Sequence, residues 1–306
     1  MTSLCLEHFR LTLRVESFAA AAPGQFVHIS PPRAAHPGYP THDEAAWRPS
    51  APWMTDLRAP MLRRAFSIAG LREVGGATEI DVVFRVVGKG TRWMASLRAG
   101  DSVSVLGPLG NRFDIRTDRA AAWLVAGGVG LPPMLWLAEA LARAGRAAVA
   151  FCGAQSRALL ALGLDDGAPP AVDAGRATRS AVEFNRQGTP VVIATDDGTY
   201  GFPGHIGAAM SAHHAANPVP PNDLIVYTCG PERMMEYVAT YCVARGIECQ
   251  VCMERAMACG TGMCQSCVIA VRETDANGTD WRYRLCCTEG PVFPAGRVIF
   301  GDPTSA

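Results

Sequence analysis

Trp123-Leu-Val-Ala-Gly-Gly-Val-Gly-Leu-Pro-Pro133 passes from an apolar run into a cluster of glycines and then into a pair of prolines. Four apolar residues ending at glycine, Trp123–Ala126, predict a buried strand. Proline fits the first turn of a helix, so Pro133–Ala144 is expected to be helical. Gly127, Gly128 and Gly130 leave the backbone bare between these elements. A pyrophosphate can approach such a turn closely, and the helix N-terminus favours its charge. The spacing is not G-x-G-x-x-G, and a tight turn with no ligand accounts for the same glycines.

The pattern continues outward from this unit. Ala147–Cys152, Val191–Ala194 and Leu224–Cys229 are further apolar runs, and a helix is expected from Pro231 to about Arg245. Continuous apolar strands alternating with helices predict a parallel sheet covered on both faces, here over residues 119–248. Gly163 to Gln187 shows no period and reads as irregular. Tyr227-Thr-Cys-Gly-Pro231 places Cys229 at the C-terminal end of a strand, the edge at which open α/β sheets bind ligands. A buried core cysteine is the plainer explanation of that residue.

Residues 1–118 read differently. Phe9–Val15, Gln25–Ile29, Ala65–Ile68, Ile80–Val87 and Ser102–Leu106 are short alternating runs broken by Gly and Pro, as in an antiparallel barrel. Residues 31–60, rich in Pro, Ala, His and Trp, read as a surface insertion between two strands. Arg64-Ala-Phe-Ser67 places on one strand an Arg that can grip a diphosphate, a ring that can lie against a flavin, and a hydroxyl that can reach flavin N5. Read alone, the tetrapeptide is weak and an ordinary surface Arg is the better account of it. Phe84-Arg-Val-Val-Gly-Lys-Gly-Thr91 ends a strand in a glycine loop that suits either phosphates or a plain β-turn.

From Cys249 to Ala306 helix periodicity disappears. Seven of the eleven cysteines fall between Cys249 and Cys287, so they are not spread evenly. Cys259-Gly-Thr-Gly-Met-Cys264-Gln-Ser-Cys267 has the C-x4-C-x2-C spacing of plant-type [2Fe–2S] ligation, with Cys286–Cys287 supplying a fourth thiolate. Gly260 and Gly262 allow the loop to fold tightly and aim N–H groups at sulfur. Structural zinc, using Cys249, Cys252, Cys264 and Cys267, is the rival. Ile247–Met253 reads as a strand, however, where positions three apart face opposite ways and do not converge on one ion. Cys5, Cys152, Cys242, Cys249 and Cys252 read as small core residues.

Composition excludes several functions. The 28 basic and 28 acidic residues cancel, which argues against a nucleic-acid footprint. No window of 18 apolar residues is present and the N-terminus does not read as a signal peptide, so a cytoplasmic chain is expected, without a membrane span.

Together the motifs resemble a known family. Pro23–Phe26, Arg64–Ser67, Gly88–Thr91, Gly100–Asn111, Gly127–Pro133 and Cys229–Pro231 occur in the order seen in ferredoxin-NADP-reductase-like proteins. The cysteine cluster, Thr195–Gly201 and Cys287–Phe293 narrow the likeness to electron-transfer subunits of NAD-linked dihydroorotate dehydrogenase. The resemblance implies an FAD-binding barrel over 1–118, an NAD-binding domain over 119–248 and a [2Fe–2S] domain over 249–306. It implies FAD contacts at Arg64, Phe66, Ser67, Gly88, Gly90 and Thr91. NAD contacts are implied at Gly128, Gly130, Cys229 and Gly230, and cluster ligands at Cys259, Cys264, Cys267 and Cys287. It further implies an FMN-containing catalytic subunit as partner, in a heterotetramer, with no acid–base dyad needed on this chain. Ala65 stands where the family usually has Pro, and the 31–60 insertion is longer than expected. A sulfide dehydrogenase or NADH-dependent ferredoxin:NADP oxidoreductase subunit looks similar over the same motifs, and a redox-sensing adapter is the reading from another class. NAD against NADP stays open, because Ser156 and Arg157 follow a strand end where a 2′-phosphate would lie.

Overall fold

A computed structural model describes residues 1–32, 62–273 and 280–302. The 31–60 insertion lies, beyond residue 32, outside the described residues.

The N-terminal region is antiparallel. Strands β1 (Thr2–Cys5), β2 (His8–Val15), β3 (Phe26–Ser30), β4 (Arg64–Val74), β5 (Ala77–Arg85) and β6 (Ser104–Leu109) form one sheet in the order β1-β2-β5-β4-β3-β6. The expected barrel is thus a sheet rolled about an interior of Leu11, Leu13, Val27, Ile29, Ile68, Ile80, Val82 and Phe84, with β1 and β6 as its edges. Strand β4 makes the roll. Its first residues pair with β3 and its remainder with β5, across a register shift between Ile68 and Gly70.

The Gly88–Thr91 segment is not a free loop. Gly88 caps a short helix, α1 (Lys89–Ala95), and the Thr91 hydroxyl accepts from the Val87 and Gly88 N–H groups. The strand before it ends at Arg85, so Val86 and Val87, expected to be extended, lead into this helix instead.

The second sheet is parallel at its centre. Strands β7 (Ala121–Gly127), β8 (Ala148–Ala154), β9 (Val191–Thr195), β10 (Phe202–Pro203), β11 (Leu224–Cys229), β12 (Glu248–Cys252) and β15 (Val292–Pro294) take the order β10-β9-β8-β7-β11-β12-β15. Only β15 is antiparallel to its neighbour. Every residue of β9 and β11 is buried, as their unbroken apolar runs require. Helices α2 (Leu131–Arg143), α4 (Ile206–Ala216) and α5 (Glu232–Val243) cover the sheet, while α3 (Val182–Asn185) is a single turn in the segment read as irregular. The last two strands to be placed, β13 (Val268–Arg272) and β14 (Trp281–Leu285), form a separate hairpin. Because β12 and β15 belong to the parallel sheet, the division expected between residues 248 and 249 falls inside a strand. The cysteine-bearing segment therefore leaves the sheet at Cys252 and returns to it at Val292.

Candidate functional site: two glycine loops and a cysteine loop

Ala126, Cys229 and Cys252 stand in register where β7, β11 and β12 end, with Gly127 the last residue of β7. At this edge the two loops expected to meet a nucleotide touch each other. A Cβ on Gly130 would overlap the Cys229 carbonyl and the Gly230 nitrogen. Gly127 and Gly230 are packed against one another and against Met234, in the first turn of helix α5 after Pro231. Gly128, at φ +52°, is exposed and has nothing within 4 Å of the position a Cβ would take. The arrangement is a bare, concave backbone edge. Of the residues that bear on a 2′-phosphate, Ser156 caps a short turn. Arg157 pairs with Asp166 at 3.2 Å and lies over the Tyr200 ring.

On β4, side chains alternate between faces. Arg64 and Phe66 share one face and Ala65 and Ser67 the other, opposite His28 and Phe26 of β3. Arg64 is exposed, and its side chain crosses Gly90 so closely that a Cβ there would stand 3.1 Å from Arg64 Cγ. Arg64, Gly88, Gly90 and Thr91 thus come together as one cradle. Its guanidinium is held by the Leu62 and Arg63 carbonyls at 2.9 and 3.1 Å. Phe66 is half-buried, edge-on to Phe84. The half-buried Ser67 hydroxyl has no hydrogen-bond partner among the described residues.

The cysteine loop lies beside this sheet. Gly260 and Gly262 take φ +73° and +83°, which turns the backbone inward around sulfur. The Thr261 and Cys264 N–H groups donate to Cys259 Sγ at 3.4 and 3.3 Å, and the Cys287 N–H donates to Cys267 Sγ at 3.4 Å. These donors, that of Cys264 foremost, hold the Cys259 thiol down at about 6, toward the thiolate. The Ser266 hydroxyl lowers Cys264 in the same way. Cys287 is buried, which pushes it up to about 11, but it lies against Cys267 and the Gly262 N–H. Cys286 faces elsewhere. Its thiol donates to the Met253 carbonyl at 3.3 Å, and burial pushes it up to about 12. Cys259 and Cys264, both drawn toward the thiolate, together with N–H groups aimed at sulfur, fit an iron–sulfur cluster. Among the described residues no group of three or more His, Cys, Asp or Glu side chains stands ready to hold a metal ion.

The rival zinc set does not assemble. Cys249 is tied to Cys242 and Cys252 to Cys229, each pair lifting the thiol well above its ordinary range. Cys152, Cys242, Cys249 and Cys252 are buried core residues, as expected, whereas Cys5 is half-buried beside His8.

Two residues escaped the sequence. Asn111 joins the N-terminal sheet to the chain after Cys287. Its side-chain N–H groups donate to the Glu289 and Val292 carbonyls at 3.0 and 2.8 Å, and its Oδ1 accepts from the Val292 N–H at 2.8 Å. His28 lies fully buried against the cysteine loop. Asn111 had a signal in its motif, Gly100–Asn111. His28 had only the oddity of an imidazole in an apolar strand.

An antiparallel sheet, a parallel nucleotide-type sheet and a cysteine loop between them define a reductase-like electron carrier. The chain superposes on a structure titled as NADH-dependent reduced ferredoxin-NADP oxidoreductase with TM-score 0.72 and 24% identity, covering 98% of this chain and 87% of that one. The FAD/NAD-binding domain of nitric oxide dioxygenase from Vibrio cholerae gives TM-score 0.56 at 17% identity, covering 82% and 94% of the two chains. Residues 254–299 match the family model described as the iron–sulfur cluster binding domain of dihydroorotate dehydrogenase B. The relative from Desulforamulus reducens, named dihydroorotate dehydrogenase B (NAD(+)) electron transfer subunit, is 30% identical over 280 residues, 92% of this chain and 87% of its own. The relative of that name from Bacillus caldolyticus is 31% identical over 279 residues, covering 90% and 86%. The chain belongs to the family of dihydroorotate dehydrogenase B electron-transfer subunits. No helix among the described residues is long and apolar enough to cross a membrane.

Proposed function

We propose that this chain carries electrons from a dihydroorotate-oxidising flavoprotein subunit to NAD⁺, through an iron–sulfur cluster and FAD, in pyrimidine biosynthesis. The observation that carries the proposal is the cysteine loop. Its backbone donors converge on sulfur, and its Gly260 packs against His28 of β3 in the antiparallel sheet. Cys259, Cys264, Cys267 and Cys287 hold a [2Fe–2S] cluster. Arg64, with Gly88, Gly90 and Thr91, holds the FAD diphosphate, while Phe66 and Ser67 address the flavin ring. Gly128, Gly130, Cys229 and Gly230 receive the nicotinamide nucleotide. When bound, the cofactors supply the redox chemistry: the cluster exchanges single electrons, and the flavin exchanges one or two. The chain's part is position and electrostatics, with no acid–base pair required.

Residues 1–118 carry the flavin function, the parallel sheet the nucleotide function, and the segment between Cys252 and Val292 the cluster function. NAD is favoured over NADP because Arg157 is already engaged by Asp166 and Tyr200. The partner is a catalytic subunit with its own FMN, two copies of each chain forming a heterotetramer in the cytoplasm.

The test uses the purified chain with and without that subunit. Alone, it should oxidise NADH with artificial acceptors and leave dihydroorotate untouched. With the subunit, dihydroorotate oxidation should become coupled to NAD⁺ reduction, and sedimentation should return a two-plus-two assembly. Turnover of dihydroorotate by the isolated chain would overturn the relay.

A further inference from the structure

His28 is fully buried, and neither ring nitrogen has a hydrogen-bond partner. A neutral imidazole carries one N–H donor and one acceptor, and leaving a buried donor unmet is costly because its desolvation goes uncompensated. Such a group is retained where a bound species supplies the missing partner.

The surroundings narrow what that partner is. On its own sheet His28 faces Phe26, with ring centroids 5.8 Å apart, and stands opposite Ala65 of β4 and Leu106 of β6. None of these offers a polar side chain. Arg63, the nearest charge, directs its guanidinium to the His28 carbonyl and to Ser104, away from the ring nitrogens. Burial and this Arg hold the imidazole neutral. The other side of the ring is closed by the cysteine loop. A Cβ on Gly260 would stand 2.7 Å from both Cε1 and Nε2 and 3.1 Å from Nδ1. Gly260 follows Cys259 directly, so the polar edge of the ring lies against the backbone that wraps the proposed cluster. Only glycine at residue 260 permits this approach.

We propose that His28 is a positioning residue for the iron–sulfur cluster, its ring N–H donating a hydrogen bond to a sulfur held by the 259–267 loop. The proposal rests on the function given above and adds a link between flavin-sheet strand β3 and the cluster. A hydrogen bond to cluster sulfur stabilises the more negative, reduced state and so raises the potential. Removing it lowers the potential.

The experiment compares holo-protein with the variants His28→Leu and His28→Gln, by iron analysis and spectroelectrochemical titration of cluster and flavin separately. Retained iron in His28→Leu, with the cluster's reduced-to-oxidised ratio at a fixed poise falling about tenfold, is the expected result. That corresponds to about 59 mV for a one-electron couple. The flavin midpoint should not move, and His28→Gln, which keeps a donor, should recover most of the difference. If His28→Leu loses iron, His28→Gln with iron and a near-normal potential supports the hydrogen bond. Three results overturn it: an unmoved cluster midpoint, a shift confined to the flavin, or equal iron loss from both variants. Absence of iron from the unsubstituted protein would instead refute the function on which the proposal rests.

Discussion

Gly110→Ala probes whether the flavin sheet and the cluster segment are locked together. Gly110 ends the turn after β6 at φ +76°, a conformation that costs an L-residue about 1–2 kcal/mol. A Cβ there would stand 2.6 Å from Pro291 Cδ and 2.9 Å from both the Gly290 carbonyl and Phe26 Cε1. Carbon pairs rest comfortably at about 3.5–4.0 Å, so Pro291 must retreat by roughly 0.9 Å. Phe26 presses from the sheet and Gly290–Pro291 from the cluster segment, so no single shift relieves both. Overpacking of this kind costs about 1–3 kcal/mol, making about 2–5 kcal/mol in all. Gly100→Ala is the control. It has φ +94° but nothing within 4 Å, so it meets the backbone cost alone. Urea unfolding followed by flavin fluorescence, with iron assayed alongside, should show Gly110→Ala less stable than Gly100→Ala by about 1–3 kcal/mol. Equal stability of the two variants would refute the packing argument.

Cys287→Ser should lose the cluster while Cys286→Ser largely keeps it, because Cys286 faces the Met253 carbonyl; iron content checks this, and equal loss would contradict the assignment. Arg64→Ala would remove the proposed charge-assisted contact to the FAD diphosphate, worth about 1.5–3 kcal/mol, so FAD should dissociate roughly tenfold to 150-fold more readily on dilution, with the parallel sheet still folded. Burial lowers the pKa of His8, His28 and His213, so the unfolded chain binds protons more tightly than the native one below about pH 6.5. The urea midpoint should therefore fall as pH drops from 7 towards 5, and a midpoint that stays level or rises would contradict it.

The sequence was most legible where a single element explains itself. Leu224–Cys229 has the limits expected of it, because an unbroken apolar run between polar and glycine residues can be satisfied only as a buried strand. The cysteine spacing likewise announces its chemistry, since C-x4-C-x2-C serves four-thiolate ligation. What stayed hidden was non-local. Nothing in Cys229 or Gly130 says that these residues touch, and nothing in Val292–Pro294 says that it pairs with β12. The short helix α1 was missed because Lys89-Gly-Thr carries two signals of a turn beside Gly88, and the cap made by Thr91 is visible only once the backbone is in place. His28 lay inside a correctly placed strand, but its importance comes from a loop far along the chain.

The placement of Asn111 explains why a cysteine loop with little core of its own can hold a fixed position. The segment departs from the parallel sheet at Cys252 and rejoins it at Val292, so both ends are anchored to one rigid body. Asn111 then fixes the returning end to the other sheet with bonds in both directions, and the Asn111 N–H donates to the Gly290 carbonyl at 2.6 Å. Gln25 steadies the same turn by donating to the Gly110 carbonyl at 2.8 Å. An electron relay needs constant separations between its redox groups more than it needs mobile catalytic side chains. Here the proposed flavin cradle, the cysteine loop and the proposed nucleotide edge are each tied to a sheet, and the two sheets are tied to each other just after Cys287. That accounts for a chain whose chemistry-bearing residues are mostly glycines and cysteines: the side chains that matter most either grip a cofactor or hold the frame at a set distance.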